Sequence, residues 1–434
     1  MNAAEMNGLT SLLQHAMAGA VIRDSYRGSP IDTGAYLRLL ATHRLSFDPE
    51  QRMLAARFKP EIGDNSVREK LLDLIRTTLA KHIHNDTLQS ATIVTGGALD
   101  GFRVIDLMSH LITISFIRGA QHAARSFYEC AENSDVAIQF ITLLDGITIE
   151  RNIEISEGIR LVPIPNSADD FPSYIIMPHF SHYTEYYGRT LIVVDQRVSP
   201  VFAHPSEMST KNTLGPFIRT NSNASYRDFN VAEFCEALSL STNHMVNYTA
   251  WWTHVNPDEA YAVKTTGQSP VISSLFHTKG SIKEVNGDDI GKAMSLYIAR
   301  KNLASDVTQN LRVPIDRWMK AKTDTNPVDI FINLGTAMES LYLSDVGKAG
   351  EFRFRLALRA AWYLGKGGVD RRTLFGDFRE IYDRRSDAVH TGKLAESEQT
   401  SEFTRKAQDL CRNSIVKIIE DGQFPDWNQL VMGE

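Results

Sequence analysis

The residues of this chain best suited to chemistry stand in one stretch, Leu374 to Leu394 (LFGDFREIYDRRSDAVHTGKL), where His390 follows Arg385 by five positions. An imidazole titrates near neutrality and so can take or give a proton, and a guanidinium can hold a phosphate oxygen. Phe378, Ile381, Tyr382, Ala388 and Val389 recur at helical spacing, which predicts an amphipathic helix over Leu374 to Val389 with Gly392 as its stop. At roughly 100° per residue, Asp383, Ser386 and Asp387 fall on the face of His390, where a carboxylate can orient and charge the imidazole. Arg384 and Arg385 project to the side of that face. Such an arginine meets the histidine only through its long side chain or across a partner subunit.

Spacing alone does not separate a site from an accident, because Arg38 and His43 stand in the same relation within an ordinary helical run. A histidine beside a carboxylate at a helix end also serves as a surface or capping residue. The neighbouring segments add context. From about Val328 the chain reads VDIFINLGTAMESLYL, then EFRFRLALRAAWYLG, then FREIYDRRSDAVHTGKL. These words, in this order, resemble the HEPN superfamily, in particular its ApeA-like branch. Glu339 falls in the "AxESL" position, Arg359 in the next helix, and Tyr382 to Gly392 match the signature "YxxRSxxVHxG".

The resemblance implies a helical bundle with a metal-independent, cofactor-free ribonuclease site formed by Arg385 and His390 and completed by pairing two bundles. It further implies an RNA substrate and a role in bacterial anti-phage defence or toxin activity, with residues 1–284 sensing a phage or cellular trigger or restraining the nuclease. Ser386 departs from the Asn, Asp or His often found after the arginine in ribonuclease members. That departure supports an alternative, a non-catalytic HEPN module that dimerises or binds RNA or a partner. The likeness is strong over roughly 285 to 430 and weak over the middle of the chain.

Metal-free RNA cleavage needs a base for the ribose hydroxyl, an acid for the leaving oxygen and a cation for the phosphate. His390 can fill either proton-transfer role and Arg385 the third. One chain offers one such histidine, so a homodimer with a shared cleft is the economical arrangement. Arg371, Arg372, Arg379, Arg384, Arg385 and Lys393 make a small cationic zone in a chain of formal net charge −6. The same pattern also fits a solvated helix face. Glu339 and Arg359 are opposite charges embedded in apolar runs, expected to be paired if buried and to hold the catalytic helix in place.

With 434 residues and 43% hydrophobic content, the chain is long enough for two or three domains with real cores. The acidic balance excludes a generally polyanion-binding surface, so any RNA contact must be local. Cys130, Cys235 and Cys411 are far apart and lack metal-ligand spacing, which reads as reduced, intracellular thiols. No signal-peptide pattern is evident, and the most apolar run, Val104 to Ile117, is interrupted by Asp106 and His110. The expectation is a cytoplasmic protein with no membrane association.

The expected architecture is α+β: a mainly helical N-terminal region over 1–135, an antiparallel β-rich middle over 136–284, and an all-α HEPN-like bundle over 285–434. In the first, Ser66 and Glu69 suggest a capping box ahead of the stripe Val67, Leu71, Leu74, Ile75 and Leu79. His82 and His84 read as helix C-terminal chemistry, and Thr95, Gly96, Gly97 with Gly101 as a turn. In the second, period-two segments start at Val136, Ile147, Ile153, Ile159, Tyr174 and Arg189. His179 and His182 read as a polar aromatic loop without a third metal ligand. Val231 to Tyr248 reads as a helix, and Trp251 and Trp252 as packing residues. In the third, a helix pair over 288–322, with Ile290, Met294, Tyr297 and Ile298 on one side, precedes helices at Val328, Phe352–Leu364, Leu374–Val389 and Glu402–Glu420.

Overall fold

A computed structural model describes residues 3–43, 54–81, 90–95, 98–132, 136–165, 188–198, 201–203, 229–264, 282–345, 351–394 and 398–432. His82, His84, Tyr174 to Met177, His179 and His182 lie outside the described residues. The protein is mixed α+β and divides into two compact units. One comprises Met1–Leu143, Arg151–Asn230 and Thr249–Ser273, and the other Leu144–Glu150, Val231–Tyr248 and Ser274–Glu434. The first unit thus takes in residues 1–135 and most of the strand-rich middle, while 144–150, 231–248 and 274–284 of that middle fall in the second.

The first unit holds helices α1 (Ala3–Ala18), α2 (Thr33–His43), α3 (Asn65–Ala80), α4 (Val104–Arg118) and α5 (Ala120–Ala131). Strands β1 (Ala20–Asp24), β2 (Pro30–Ile31) and β3 (Phe58–Ile62) form an antiparallel sheet in the order β2-β1-β3. A second antiparallel sheet joins β4 (Ser90–Thr95), β5 (Ala98–Arg103) and β11 (Val201–Ala203). The first 135 residues are mainly helical, as expected, but among the described residues they also carry five short strands. They escape a period-two reading because they are short; β3, FKPEI, buries only Pro60 and Ile62. Gly101, expected in a turn, lies within β5, whose partner β4 pairs Thr95 with Ala98.

The expected middle strands are present as β6 (Val136–Asp145), β8 (Ile153–Ser156), β9 (Ile159–Pro163) and β10 (Thr190–Val198). With β12 (Asn247–Val255) they form a sheet ordered β12-β6-β10-β9-β8. Trp251, Trp252 and His254 belong to β12, so the helix expected to Tyr248 ends earlier, at Thr242. The cap of α3 is also corrected. Asp64, not Ser66, is the cap and receives the amides of Ser66 and Val67, because a carboxylate two residues earlier is the stronger acceptor for the orphan donors.

Asp24 ends β1 and accepts the amides of Tyr26 at 2.9 Å and Arg27 at 3.1 Å and the Arg57 Nε at 2.6 Å. The Arg57 guanidinium hydrogen bond, foremost, holds its carboxyl down at about 2, from an ordinary 3.8. A depressed carboxylate stabilises the native state above its unfolded pKa and loses that contribution as pH falls through the folded value. The stability advantage of the native chain over Asp24→Asn is therefore expected to shrink as pH falls from about 4 to about 2. Urea unfolding of both proteins across that range checks this, and a pH-independent gap would contradict it.

The second unit holds β7 (Ile147–Thr148) paired in parallel with β13 (Lys283–Glu284), and eight helices among the described residues. These are α6 (Val231–Thr242), α7 (Gly287–Lys301), α8 (Ser305–Thr323), α9 (Pro327–Tyr342), α10 (Phe352–Leu364), α11 (Gly368–Thr391), α12 (Glu398–Asp421) and α13 (Trp427–Met432). A capping box of Asn286 and Asp289 starts α7, and Asn326 with Pro327 at the first turn starts α9. Their core includes Phe331, Met338, Tyr342, Phe378 and Ile415. The Tyr342 hydroxyl donates to Ser414 at 2.6 Å, and its ring meets Phe378 edge-on.

Two expected core residues face solvent: Ile298 and Val389 are 49% and 48% exposed. Each is one residue past a buried position, Tyr297 or Ala388, which turns it about 100° off the apolar stripe. The three cysteines are free and buried, and burial pushes each thiol up. Among the described residues no helix is long and apolar enough to cross a membrane.

Candidate functional site

Helix α11 is longer than the sequence predicts, starting at Gly368, and it ends where expected: Gly392 adopts φ 65°, a left-handed stop that suits glycine. Phe378, Ile381 and Ala388 seat it on the bundle. This places His390 in the last turn, exposed to solvent, and Arg385 half-buried against α9.

Arg385 crosses α9 at Gly335. A Cβ built there would stand 2.3 Å from the Arg385 Cγ, so only glycine admits this approach. Its Nη2 donates to Glu339 Oε2 at 3.3 Å, and its Nε is buried with no hydrogen-bond partner among the described residues. Burial raises the Glu339 carboxyl above the ordinary range, and the Arg385 charge partly offsets this. Glu339 thus pairs with a guanidinium of α11, as a residue that holds that helix in place would. Gly335→Ala is expected to displace Arg385 and cost about 1–3 kcal/mol of packing strain, offset in part by better helix propensity. Thermal denaturation checks it, and an unchanged melting temperature would show that the arginine relocates freely.

The other expected partners are distributed differently. Asp383 is ion-paired with Arg353 of α10 rather than with His390. Ser386 is half-buried and Asp387 exposed, and neither is hydrogen-bonded to the imidazole among the described residues. The expected carboxylate support for His390 is thus corrected: sharing a helix face brings groups near, but Arg353 is a stronger partner for Asp383 than a distant imidazole. Arg384 donates to Glu380 at 2.7 Å, and its guanidinium lies 4.6 Å from the Phe403 ring centroid and 5.5 Å from that of Phe331. It is a structural clamp.

Arg359 and Glu339 are each paired, but not with one another. Arg359, 5% exposed, makes a two-pronged contact with Asp345 at 2.6 and 3.0 Å and donates to the Tyr342 carbonyl at 2.6 Å. The hydrogen bond from Arg359 holds the Asp345 carboxyl below the ordinary range. Arg359 thereby satisfies a carbonyl at the C-terminal end of α9. Within the cationic zone, Arg371 stacks 3.9 Å over Trp362 and Arg379 lies 5.7 Å over Phe375, while Arg372 and Lys393 are exposed.

No family model, curated protein or solved structure matches this chain. Among the described residues, no group of three or more His, Cys, Asp or Glu is placed to hold a metal ion.

Sequence reasoning missed Gly335, Arg353 and Asp345. Only the first left a signal: a glycine inside an otherwise strong helix former costs about 1 kcal/mol and asks for a packing reason. The single chain brings Arg385 to Glu339 and leaves His390 apart in solvent. Chemically, such a surface offers one proton-transfer group and one guanidinium whose carboxylate partner a phosphate oxygen can replace.

Proposed function

We propose that the C-terminal unit is a metal-independent endoribonuclease of HEPN type, acting as a homodimer through Arg385 and His390. The signature from Tyr382 to Gly392 supports this reading, and the observation that carries it is the placement of its arginine and histidine. Arg385 is half-buried beside Glu339 while His390, five residues on, stands about 140° around the axis and open to solvent. One chain presents them poorly to a single phosphate. Two copies of α11 would supply two histidines, one as base for the ribose hydroxyl and one as acid for the leaving oxygen, with the arginines on the phosphate.

Residues 1–284 would then sense a trigger from phage or cell or restrain the nuclease, with anti-phage defence or toxicity as the outcome. The pairing of Arg385 with Glu339 also favours a second reading, a bundle that dimerises or binds RNA or a partner without cleaving, because its cation is already neutralised.

Cleavage of total RNA by the purified chain in excess chelator is expected, together with a dimer by light scattering. RNA left intact under dimeric, activating conditions would sink the nuclease reading and leave the binding module. A strictly monomeric chain that still cleaves would overturn the shared cleft.

A further inference from the structure

An open groove of about 450 Å³ lies where the start of α10 meets α11, lined by Glu351, Phe352, Arg353, Phe354, Arg379 and Tyr382. Phe354 is 48% exposed and meets Phe375 edge-on at 5.6 Å, and the Arg379 guanidinium covers the other aromatic at 5.7 Å. Arg353 is bound to Asp383 at the same place. Two guanidinium groups are thus balanced by two carboxylates, Glu351 and Asp383. Such a surface does not gather a run of phosphates, but it offers aromatic faces, planar cations, donors and acceptors together. Those are the features that recognise an unstacked nucleobase.

The groove is aligned with the candidate site. Arg379 and Asp383 precede His390 by eleven and seven residues. At 100° per residue both stand within about 20° of the histidine around the helix, and Arg379 lies about 16 Å before it along the axis. A strand following this face would place a base in the groove and a phosphate, a few nucleotides away, beside His390.

We infer that the groove between α10 and α11 binds a base of single-stranded RNA and so registers the strand against His390, an inference that rests on the ribonuclease reading. Duplex RNA keeps its bases stacked inside and cannot supply one.

Fluorescence anisotropy with a short single-stranded RNA carrying 2′-O-methyl riboses measures binding without cleavage, since the attacking hydroxyl is blocked. Phe354→Ala and Arg379→Ala are each expected to weaken binding about tenfold, the scale of one lost stacking contact. Both side chains are exposed, so the fold is retained, which circular dichroism checks. A duplex of the same sequence should bind no better than the variants do. Equal affinity of wild type and variants, equal binding of duplex, or no binding by wild type would overturn the groove. So would a Phe354→Ala chain that changes only its mass in solution, which would mark a contact between copies. Unmodified RNA is tested beside it. Groove-dependent binding without His390-dependent cleavage upholds the groove while the nuclease reading falls, and cleavage with variant-insensitive binding does the reverse.

Discussion

His390→Ala is expected to leave RNA intact under conditions where the wild-type chain cleaves it, a loss of about 10²–10⁴-fold if the imidazole transfers a proton in the reaction. The fold should be unaffected. His390 is exposed in the last turn of α11, and surface substitutions of that kind change stability by about 0.5 kcal/mol or less. It is a cleaner probe than Arg385→Ala. Arg385 is half-buried over Gly335 and paired with Glu339. Removing it leaves a half-buried carboxylate without its cation, so a loss of activity there would mix chemistry with destabilisation. Cleavage by His390→Ala at the wild-type rate in chelator would remove the histidine from the mechanism.

The largest expected effect on stability is at Arg359. Truncation to alanine leaves the Tyr342 carbonyl without its donor, frees Asp345, and removes a guanidinium 5.8 Å from the Trp427 ring centroid. Breaking a buried, hydrogen-bonded pair from one side costs about 3–5 kcal/mol. Asp345 is half-exposed and can recover hydration, which puts the expected loss near the lower end, about 3 kcal/mol. Asp345→Asn should cost less, because the carbonyl bond to Tyr342 survives. Amide hydrogen exchange in Pro327–Tyr342 and Phe352–Leu364 measures the effect where it arises. Unchanged protection there in Arg359→Ala would show that this pair does not tie the two helices together.

The sequence by itself determined most helices of the second unit, though not Trp427–Met432, and placed Arg385 and His390 on one of them. Phe352–Leu364 is as expected, and the stop at Gly392 follows from a local rule, the need for a left-handed residue past the last turn. Periodicity also identified β6, whose ten residues are long enough for alternation to show, and β9, whose five residues belong to a longer alternating run from Ile147 to Ile164. Strands such as β2 and β3 were not legible, because two to five residues with few buried positions carry no readable period. Side-chain partners lay beyond the sequence for a different reason. Helical spacing states which residues share a face, so it set Asp383 beside His390, but it cannot state what the neighbouring helix brings to that face. The tertiary structure brought Arg353 to Asp383, Asp345 to Arg359 and Glu339 to Arg385. Each of these pairs joins segments 14 to 46 residues apart in the chain, and packing alone decides them.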